Sequence, residues 1–353
     1  MKNITFVLPQ YPLHISGGYK MAFEYANRLA NDNFNVTIIF LNDNAPHFLK
    51  IPSFFKKHIM NILTKRKIRW YPIDPKVKIL SSTQSKAQKI IKDTDVVVAT
   101  AAITVDPVLN DFKGTKKIYL IQDFEKWDMS SKELFRTYNA GFKNIVISKW
   151  LKEIVEQHSK NPPIYIKNPV DTDIYHVNIP ITQRNRYTVG MLYHKAPHKG
   201  VKYALSAVSE VKKMYPNLKL IMFGSTRPPK DLPDWVTYYK NTSQRETVEI
   251  YNKISIFVCG SINEGFGLTG LESMACGDAL VSTNYLGVRE YAVDKENALL
   301  TPIKDSEKLA KNISYLISHD KERIKIARRA VTMAQSFSWD EAYSKFKKVI
   351  IGE

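Results

Sequence analysis

Short apolar runs, each followed by a helix-like pattern, recur along the chain, and the alternation runs through twice. Few folds accept that arrangement other than parallel sheets covered by helices. In the first round, residues 4–9 and 35–40 read as buried strands around a helix near 19–29, whose Ala22, Tyr25, Ala26 and Leu29 form one apolar stripe. Residues 95–99, 117–121 and 145–147 read as further strands, and Ser148 as the N-cap of a helix to about Gln157. The stretch 165–173 closes this half; Asp171 and Asp173 in it predict an Asx-type turn in preference to a metal site. A second round runs through strands at 187–192, 218–223, 235–239, 254–259 and 279–283, with helices at 201–214, near 245–251 and at 309–319. A final amphipathic helix covers 337–350. Two successive α/β halves imply two Rossmann-like domains facing a cleft. A chain of 353 residues with 44% hydrophobic content is long enough to fill two cores.

The strand at 254–259 leads into C-G-S-I-N-E-G-F-G-L-T-G-L-E-S-M-A-C-G-D, residues 259–278. Glycines at 265, 267 and 270 let the backbone come close to a ligand. A helix pattern follows over 268–276, and Gly277 has the position of a left-handed residue just past its end. Strand, glycine-rich turn and helix N-terminus together form an anion site, through unpaired amides and the helix dipole. Glu264 and Glu272 flank it. Acids repel an anion, but they accept charge-assisted hydrogen bonds from sugar hydroxyls, about 1.5–3 kcal/mol each. Amides plus acids therefore describe a sugar nucleotide better than a free phosphate. The alternative is a surface helix with solvated glutamates, since one glycine-rich turn has little specificity. In the first half, Gly17-Gly18 follows the first strand's carboxyl end, where doubly wound sheets bind ligands, yet the dinucleotide fingerprint is missing, which speaks against a nicotinamide cofactor.

The two cysteines, Cys259 and Cys276, have neither zinc nor disulfide spacing, so thiol and metal chemistry are not expected and a reducing cytoplasm is. Residues 1–9 read as a first strand and not as a signal peptide, and no run is long enough to span a bilayer. The formal net charge of +18 asks for an acidic partner. No acid occurs between Asp43 and Asp74, whereas Lys50, Lys56, Lys57, Lys65, Arg66, Lys67 and Arg69 accumulate there. A helix over 52–64 with Phe55, Ile59, Ile62 and Leu63 on one face could lie on an anionic membrane, each basic residue contributing about 1 kcal/mol. The competing reading is a packed helix with a solvated basic rim. Nucleic acid is not expected, because no nucleic-acid motif accompanies the patch.

The segment E-G-F-G-L-T-G-L-E, residues 264–272, resembles the E-x7-E motif of family 4, the large retaining family of GT-B glycosyltransferases. The likeness extends to G-G-Y-K-M-A-F-E-Y-A-N-R-L-A from Gly17, K-N-P-V-D-T-D-I-Y from Lys167, H-K-G at His198 and F-S-W at Phe337. These landmarks are spread over nearly the whole chain. The resemblance implies a GT-B fold, with an acceptor-binding domain over 1–168, a nucleotide-sugar-binding domain over 169–335 and a helix over 336–353 returning to the first. It also implies sugar transfer from a nucleotide donor with retained anomeric configuration and no metal or other cofactor. Glu264 would hold donor-sugar hydroxyls and Glu272 the ribose-type hydroxyls. The backbone of Gly265, Phe266, Gly267 and Leu268, with Thr269, would take donor sugar and diphosphate, and Gly17 and Gly18 would meet the diphosphate from the other domain. Basic side chains would neutralise the leaving group.

Two departures stand out. Relatives have a glycine followed by an arginine, then a lysine a few residues later; here Gly190-Met191 is followed by a longer loop to Lys199-Gly200. Lys199 carries over and the arginine does not, leaving His194 or Lys195 to supply the second positive group. Where many relatives place a histidine before an aspartate, this chain has Gln122-Asp123, so Asp123 becomes a candidate for positioning the acceptor, with a helix N-cap as its alternative role. The forms I-Q-D-F-E at Ile121 and G-M-L-Y-H-K at Gly190 look like bacterial polysaccharide rhamnosyltransferases. That narrower likeness implies dTDP-L-rhamnose as donor and a lipid-linked saccharide as acceptor, at the inner face of the cell membrane, with Lys56, Lys57, Lys65, Arg66 and Lys67 as the membrane or acceptor face. A UDP-hexose donor competes with this reading, as does a GT-B-like sugar-nucleotide isomerase.

Overall fold

The computed structural model describes residues 1–41, 68, 70–82, 93–126 and 129–352. Two compact units divide the chain: Met1–Ile166 together with Tyr343–Glu353, and Lys167–Ala342. The basic segment with Lys56, Lys57, Lys65, Arg66 and Lys67, and the helix expected over 52–64, lie outside the described residues.

In the first unit the elements run β1 (Asn3–Leu8), α1 (Gly17–Asn31), β2 (Asn35–Leu41), β3 (Lys78–Ser82), β4 (Val96–Ala99), α2 (Ala102–Asp111), β5 (Lys116–Ile121), α3 (Ser131–Tyr138), β6 (Lys143–Val146), α4 (Lys149–His158) and β7 (Ile164–Tyr165). The seven strands are parallel, in the order β3-β2-β1-β4-β5-β6-β7. Val96–Ala99 is buried throughout, because a parallel sheet covered on both faces asks for a continuous apolar run in its central strands. Helix α1 lays Met21, Ala22, Phe23, Tyr25, Ala26 and Leu29 on the sheet, and Asn33, at φ 64°, turns the chain back into β2.

The second unit repeats the plan with β8 (Thr188–Leu192), α5 (Val201–Met214), β9 (Lys219–Gly224), β10 (Val236–Lys240), α6 (Gln244–Lys253), β11 (Ile256–Cys259), α7 (Leu268–Ala275), β12 (Ala279–Thr283), β13 (Ala298–Thr301), α8 (Ser306–Ser318) and α9 (Asp320–Gln335). Its six parallel strands are ordered β10-β9-β8-β11-β12-β13. In each unit the first strand has neighbours on both sides that are reached in opposite directions, β2 and β4 beside β1, β9 and β11 beside β8. Loops leaving the carboxyl ends of those paired strands diverge, and a crevice opens there. The last helix, α10 (Trp339–Ile351), starts within the second unit and packs on the first from Tyr343 onward. Its Phe346 stacks on Tyr25 with ring centroids 4.1 Å apart, while Tyr343 and Lys347 both reach Asp32, at 2.6 and 2.7 Å.

Several elements depart from the sequence expectation. Gly17 and Gly18 are the first two residues of α1, not the end of a loop. Helices α2, α3 and α9 and strands β3, β7 and β13 form where no element was expected. Pro107 sits inside α2 and hides its period, and the buried side of α9 relies on the small residues Ala327, Ala330 and Ala334. Helix α3 carries a capping box, Ser130 and Glu133, that a reading for apolar stripes overlooks. Ser148 occupies the N-cap position of α4, but its hydroxyl makes no capping bond. The Asx turn forms, with Asp171 Oδ1 accepting from the Asp173 and Ile174 amides.

Arg184 staples the second unit. Its buried guanidinium donates to Asp278 at 3.1 Å, to the Asn252 side chain at 2.9 Å and to the carbonyls of Ile179, Tyr251 and Ile254. Replacing it with methionine strands a buried carboxylate. Urea unfolding of Arg184→Met should show a loss of about 3–5 kcal/mol, and adding Asp278→Asn in the same chain should return part of it.

Candidate functional site

The crevice of the second unit lies between the loops that leave β8 and β11. Those loops touch backbone to backbone because both contact positions are glycine: a Cβ on Gly200, which has φ 54°, would stand 1.8 Å from the Gly260 carbonyl oxygen, and one on Gly260 would stand 2.7 Å from that of Gly200. The Ile262 amide adds a bond to the His198 carbonyl at 2.7 Å. Lys199 closes a short 3₁₀ turn, Pro197–Lys199, and with the loops so joined its ammonium meets Glu264 Oε2 at 2.9 Å. A narrow gap of about 10 Å³ at this point is lined by Lys199, Ser261, Glu264 and Thr269, with Met191 and Cys259 behind.

Glu264 is only 9% exposed. Burial works to raise its pKa, but the Lys199 charge, the Ser261 hydroxyl donating to Oε1 and the nearby His198 outweigh it and hold the carboxyl below the usual range. The group is an anion at neutral pH. Burial and the Lys199 charge push the His198 imidazole down, so that ring is neutral there. His194 Nδ1 accepts from the Ala196 amide at 3.0 Å, while Lys195 is exposed.

Helix α7 begins at Gly267, a left-handed residue at φ 87°. Two buried tyrosines hold that turn. Tyr291 donates to the Gly267 carbonyl at 2.7 Å and accepts from the Tyr285 hydroxyl at 3.0 Å. A Cβ at 267 would come within 2.0 Å of the Tyr285 hydroxyl and one at 270 within 2.4 Å of that of Tyr291, so glycine is needed at both places to let the tyrosines in. Phe266 anchors the preceding residue between Tyr291 and Phe337. No side chain caps α7 and no acid lies in its first turn, so the N-terminal turn at half-exposed Leu268 and Thr269 offers main-chain amides to an anion. Glu272 lies one helical turn further in, buried, with the Tyr251 hydroxyl 3.4 Å from its Oε2. Gly265 is buried as well, on the loop between Glu264 and Phe266.

The structure thus gathers Lys199, Glu264 and Thr269 at one pocket and places Glu272 on the helix that follows. Gly17, Gly18 and Asp123 belong to the first unit. A Cβ on Gly18 would lie 3.3 Å from the Gln122 amide nitrogen, so Gln122 closes against the start of α1. Asp123 Oδ1 accepts from the Phe124 amide at 2.8 Å. It caps no helix: the next one, α3, has Ser130 for that purpose. Sequence reasoning missed Ser261, Tyr285, Tyr291 and the Gly200–Gly260 contact, for which the glycines alone were a signal. Among the described residues no group of three or more His, Cys, Asp or Glu could hold a metal ion.

Residues 181–333 match the family model described as glycosyl transferases group 1. The chain is 27% identical over 218 residues to an uncharacterised glycosyltransferase of Methanocaldococcus jannaschii, covering 59% of this chain and 58% of that one. It is 24% identical over 238 residues to a D-inositol 3-phosphate glycosyltransferase of Corynebacterium aurimucosum, covering 60% and 56%. The chain therefore spans a little over half the length of these relatives. The Anabaena protein HepE, solved in complex with UDP and glucose, superposes with a TM-score of 0.78 at 16% identity over 100% of both chains. The fold is GT-B, with two α/β domains built on parallel sheets. Within residues 181–333 the described pocket falls at the switch point of the sheet.

Gly200→Ala should destabilise the protein by about 2–5 kcal/mol, from left-handed strain and the clash with Gly260 together. Gly141→Ala makes the control: φ there is 83°, but nothing lies within 4 Å of the added carbon, and about 1–2 kcal/mol is expected. Chemical unfolding distinguishes the two. Because the folded carboxyl of Glu264 titrates below its unfolded value, its stabilisation is complete above that unfolded value and disappears as pH falls through the folded one. The stability gap between wild type and Glu264→Gln should stay constant from about pH 8 to 6 and shrink below about pH 4.5.

Proposed function

We propose that the chain is a retaining, metal-independent glycosyltransferase that moves a sugar from a nucleoside diphosphate donor to a saccharide acceptor. One observation carries this reading: the uncapped start of α7, the buried Glu264 anion and the Lys199 ammonium meet at a single pocket. The amides at Leu268 and Thr269 and the Lys199 charge suit the diphosphate; Glu264 suits sugar hydroxyls, and Glu272 the ribose. Lys199 and Glu264 neutralise each other. As the glycosidic bond to the donor breaks, negative charge grows on the leaving diphosphate, and Lys199 and the helix dipole stabilise it without a metal. Lys195, exposed on the same loop, supplies further positive charge.

For the donor, two nucleotides are in view. The rhamnosyltransferase-like segments at Ile121 and Gly190 favour dTDP-L-rhamnose, whereas HepE, solved with UDP and with UDP-glucose, favours a UDP-hexose. The first unit takes the acceptor in this reading, with Asp123 positioning it. It also carries most of the excess charge, 28 Lys and Arg against 15 Asp and Glu, compared with 24 against 19 in the second unit. That asymmetry supports a lipid-linked acceptor at an anionic membrane face on the cytoplasmic side. No helix among the described residues is long and apolar enough to cross a membrane.

Release of nucleoside diphosphate from UDP-hexoses and dTDP-L-rhamnose, with and without lipid-linked saccharides, tests the proposal. Turnover should require both substrates, and Glu264→Gln and Lys199→Ala should each lower kcat by about 100-fold or more. Conversion of donor in the absence of acceptor would point to an isomerase instead, and normal turnover in both variants would remove the assigned site.

A further inference from the structure

Behind the Glu264 loop the second unit has another pocket, of about 670 Å³, at the carboxyl ends of β11, β12 and β13. One wall is Ile262 and Asn263, from the same loop that carries Glu264; the others come from the segments after β12 and β13 and include Asn284, Arg289, Asp294 and Ile303. The size is that of a small-molecule site. Its lip is apolar: Leu286 is 39% exposed and Ile303 44%. Its polar groups, Asn284, Arg289 and Asp294, are exposed to solvent along the walls. Arg289 Nε donates to Asn284 Oδ1 at 2.9 Å, which uses one of the five guanidinium N–H donors, and Asp294 Oδ1 accepts from the Leu300 amide at 2.7 Å.

These groups discriminate among ligands. A hydrocarbon chain would strip water from Asn263, Asn284, Arg289 and Asp294 and return nothing, at about 1–3 kcal/mol for each polar group left unpaired. A phosphate would meet one cation and one carboxylate, which offset each other. A neutral saccharide fits both halves of the surface, because its hydroxyls pair with amide, guanidinium and carboxylate while its C–H faces rest on Leu286 and Ile303. We infer that this pocket is a subsite for a neutral saccharide, distinct from the donor pocket and used by sugars of the acceptor distant from the reacting hydroxyl. The role in acceptor recognition rests on the glycosyltransferase reading; the binding itself does not.

The pocket also adjoins the catalytic loop mechanically. A Cβ on Gly287 would lie 2.5 Å from the Glu264 carbonyl oxygen and 2.8 Å from Phe266 Cα, so the segment after β12 packs directly on the backbone that holds Glu264. The amides of Ile262 and Asn263 bond to the His198 carbonyl next to Lys199. A saccharide held on Asn263 and Arg289 thus bears on both loops of the donor pocket.

Calorimetric titration of the full chain with maltotriose, triacetylchitotriose and a rhamnose trisaccharide, each without nucleotide, tests the subsite. At least one should bind at millimolar concentration or tighter, Arg289→Ala and Asn284→Ala should each weaken it about tenfold or more, and both variants should bind UDP as wild type does, which shows them folded. Glu264→Gln should leave trisaccharide binding unchanged. Absence of binding for all three sugars, or binding indifferent to both substitutions, overturns the inference. Trisaccharide binding with these dependences in a protein that does not bind UDP would uphold the subsite and count against the donor reading alone.

Discussion

The contact between Lys199 and Glu264 depends on a prior contact between two backbones. Gly200 and Gly260 are the only arrangement of residue types that lets the loops after β8 and β11 come so close, since any side chain at position 200 would enter the carbonyl of Gly260. The sheet order brings the two loops side by side at its switch point, the glycines let them touch, and the ion pair follows. Burial, which alone would disfavour a charged carboxylate, is overcome by an ammonium and a hydroxyl within the same few residues. The result is an anion held at the mouth of a helix that favours anions. That opposition suits a ligand with hydroxyls on one part and phosphates on another.

A second layer of residues fixes where the helix begins. Tyr285 and Tyr291, fully enclosed and hydrogen-bonded to each other, sit where side chains at 267 and 270 would have been. The Gly287 segment presses on the loop from the far side. Gly267, Gly270 and Gly287 therefore serve the loop's support: each marks a place where another group needs the room. Such support matches what precise positioning of a diphosphate requires, because electrostatic stabilisation of a leaving group depends on donors that do not have to reorganise.

Much of this was legible in the chain. The double alternation led to two α/β units, and helices with clear stripes, such as Val201–Met214, have the bounds their pattern indicates. Gly277 takes the left-handed conformation expected of it, at φ 91°. What escaped notice is equally physical. Helix α2 contains Pro107, α9 packs through alanines, and β7 has two residues, so none presents a period long enough to recognise. Within the site, Glu264, Lys199 and the glycines carry their chemistry in their residue type. Ser261 and the tyrosine pair do not: a hydroxyl's role depends on which atom the fold puts beside it.

The most direct test of the central claim is a crystal structure of the protein with UDP bound. The diphosphate should lie within hydrogen-bonding distance of the Leu268 and Thr269 amides, with the Lys199 ammonium turned toward it and away from Glu264. A nucleotide lodged elsewhere on the protein, with the Lys199–Glu264 pair undisturbed, would contradict it.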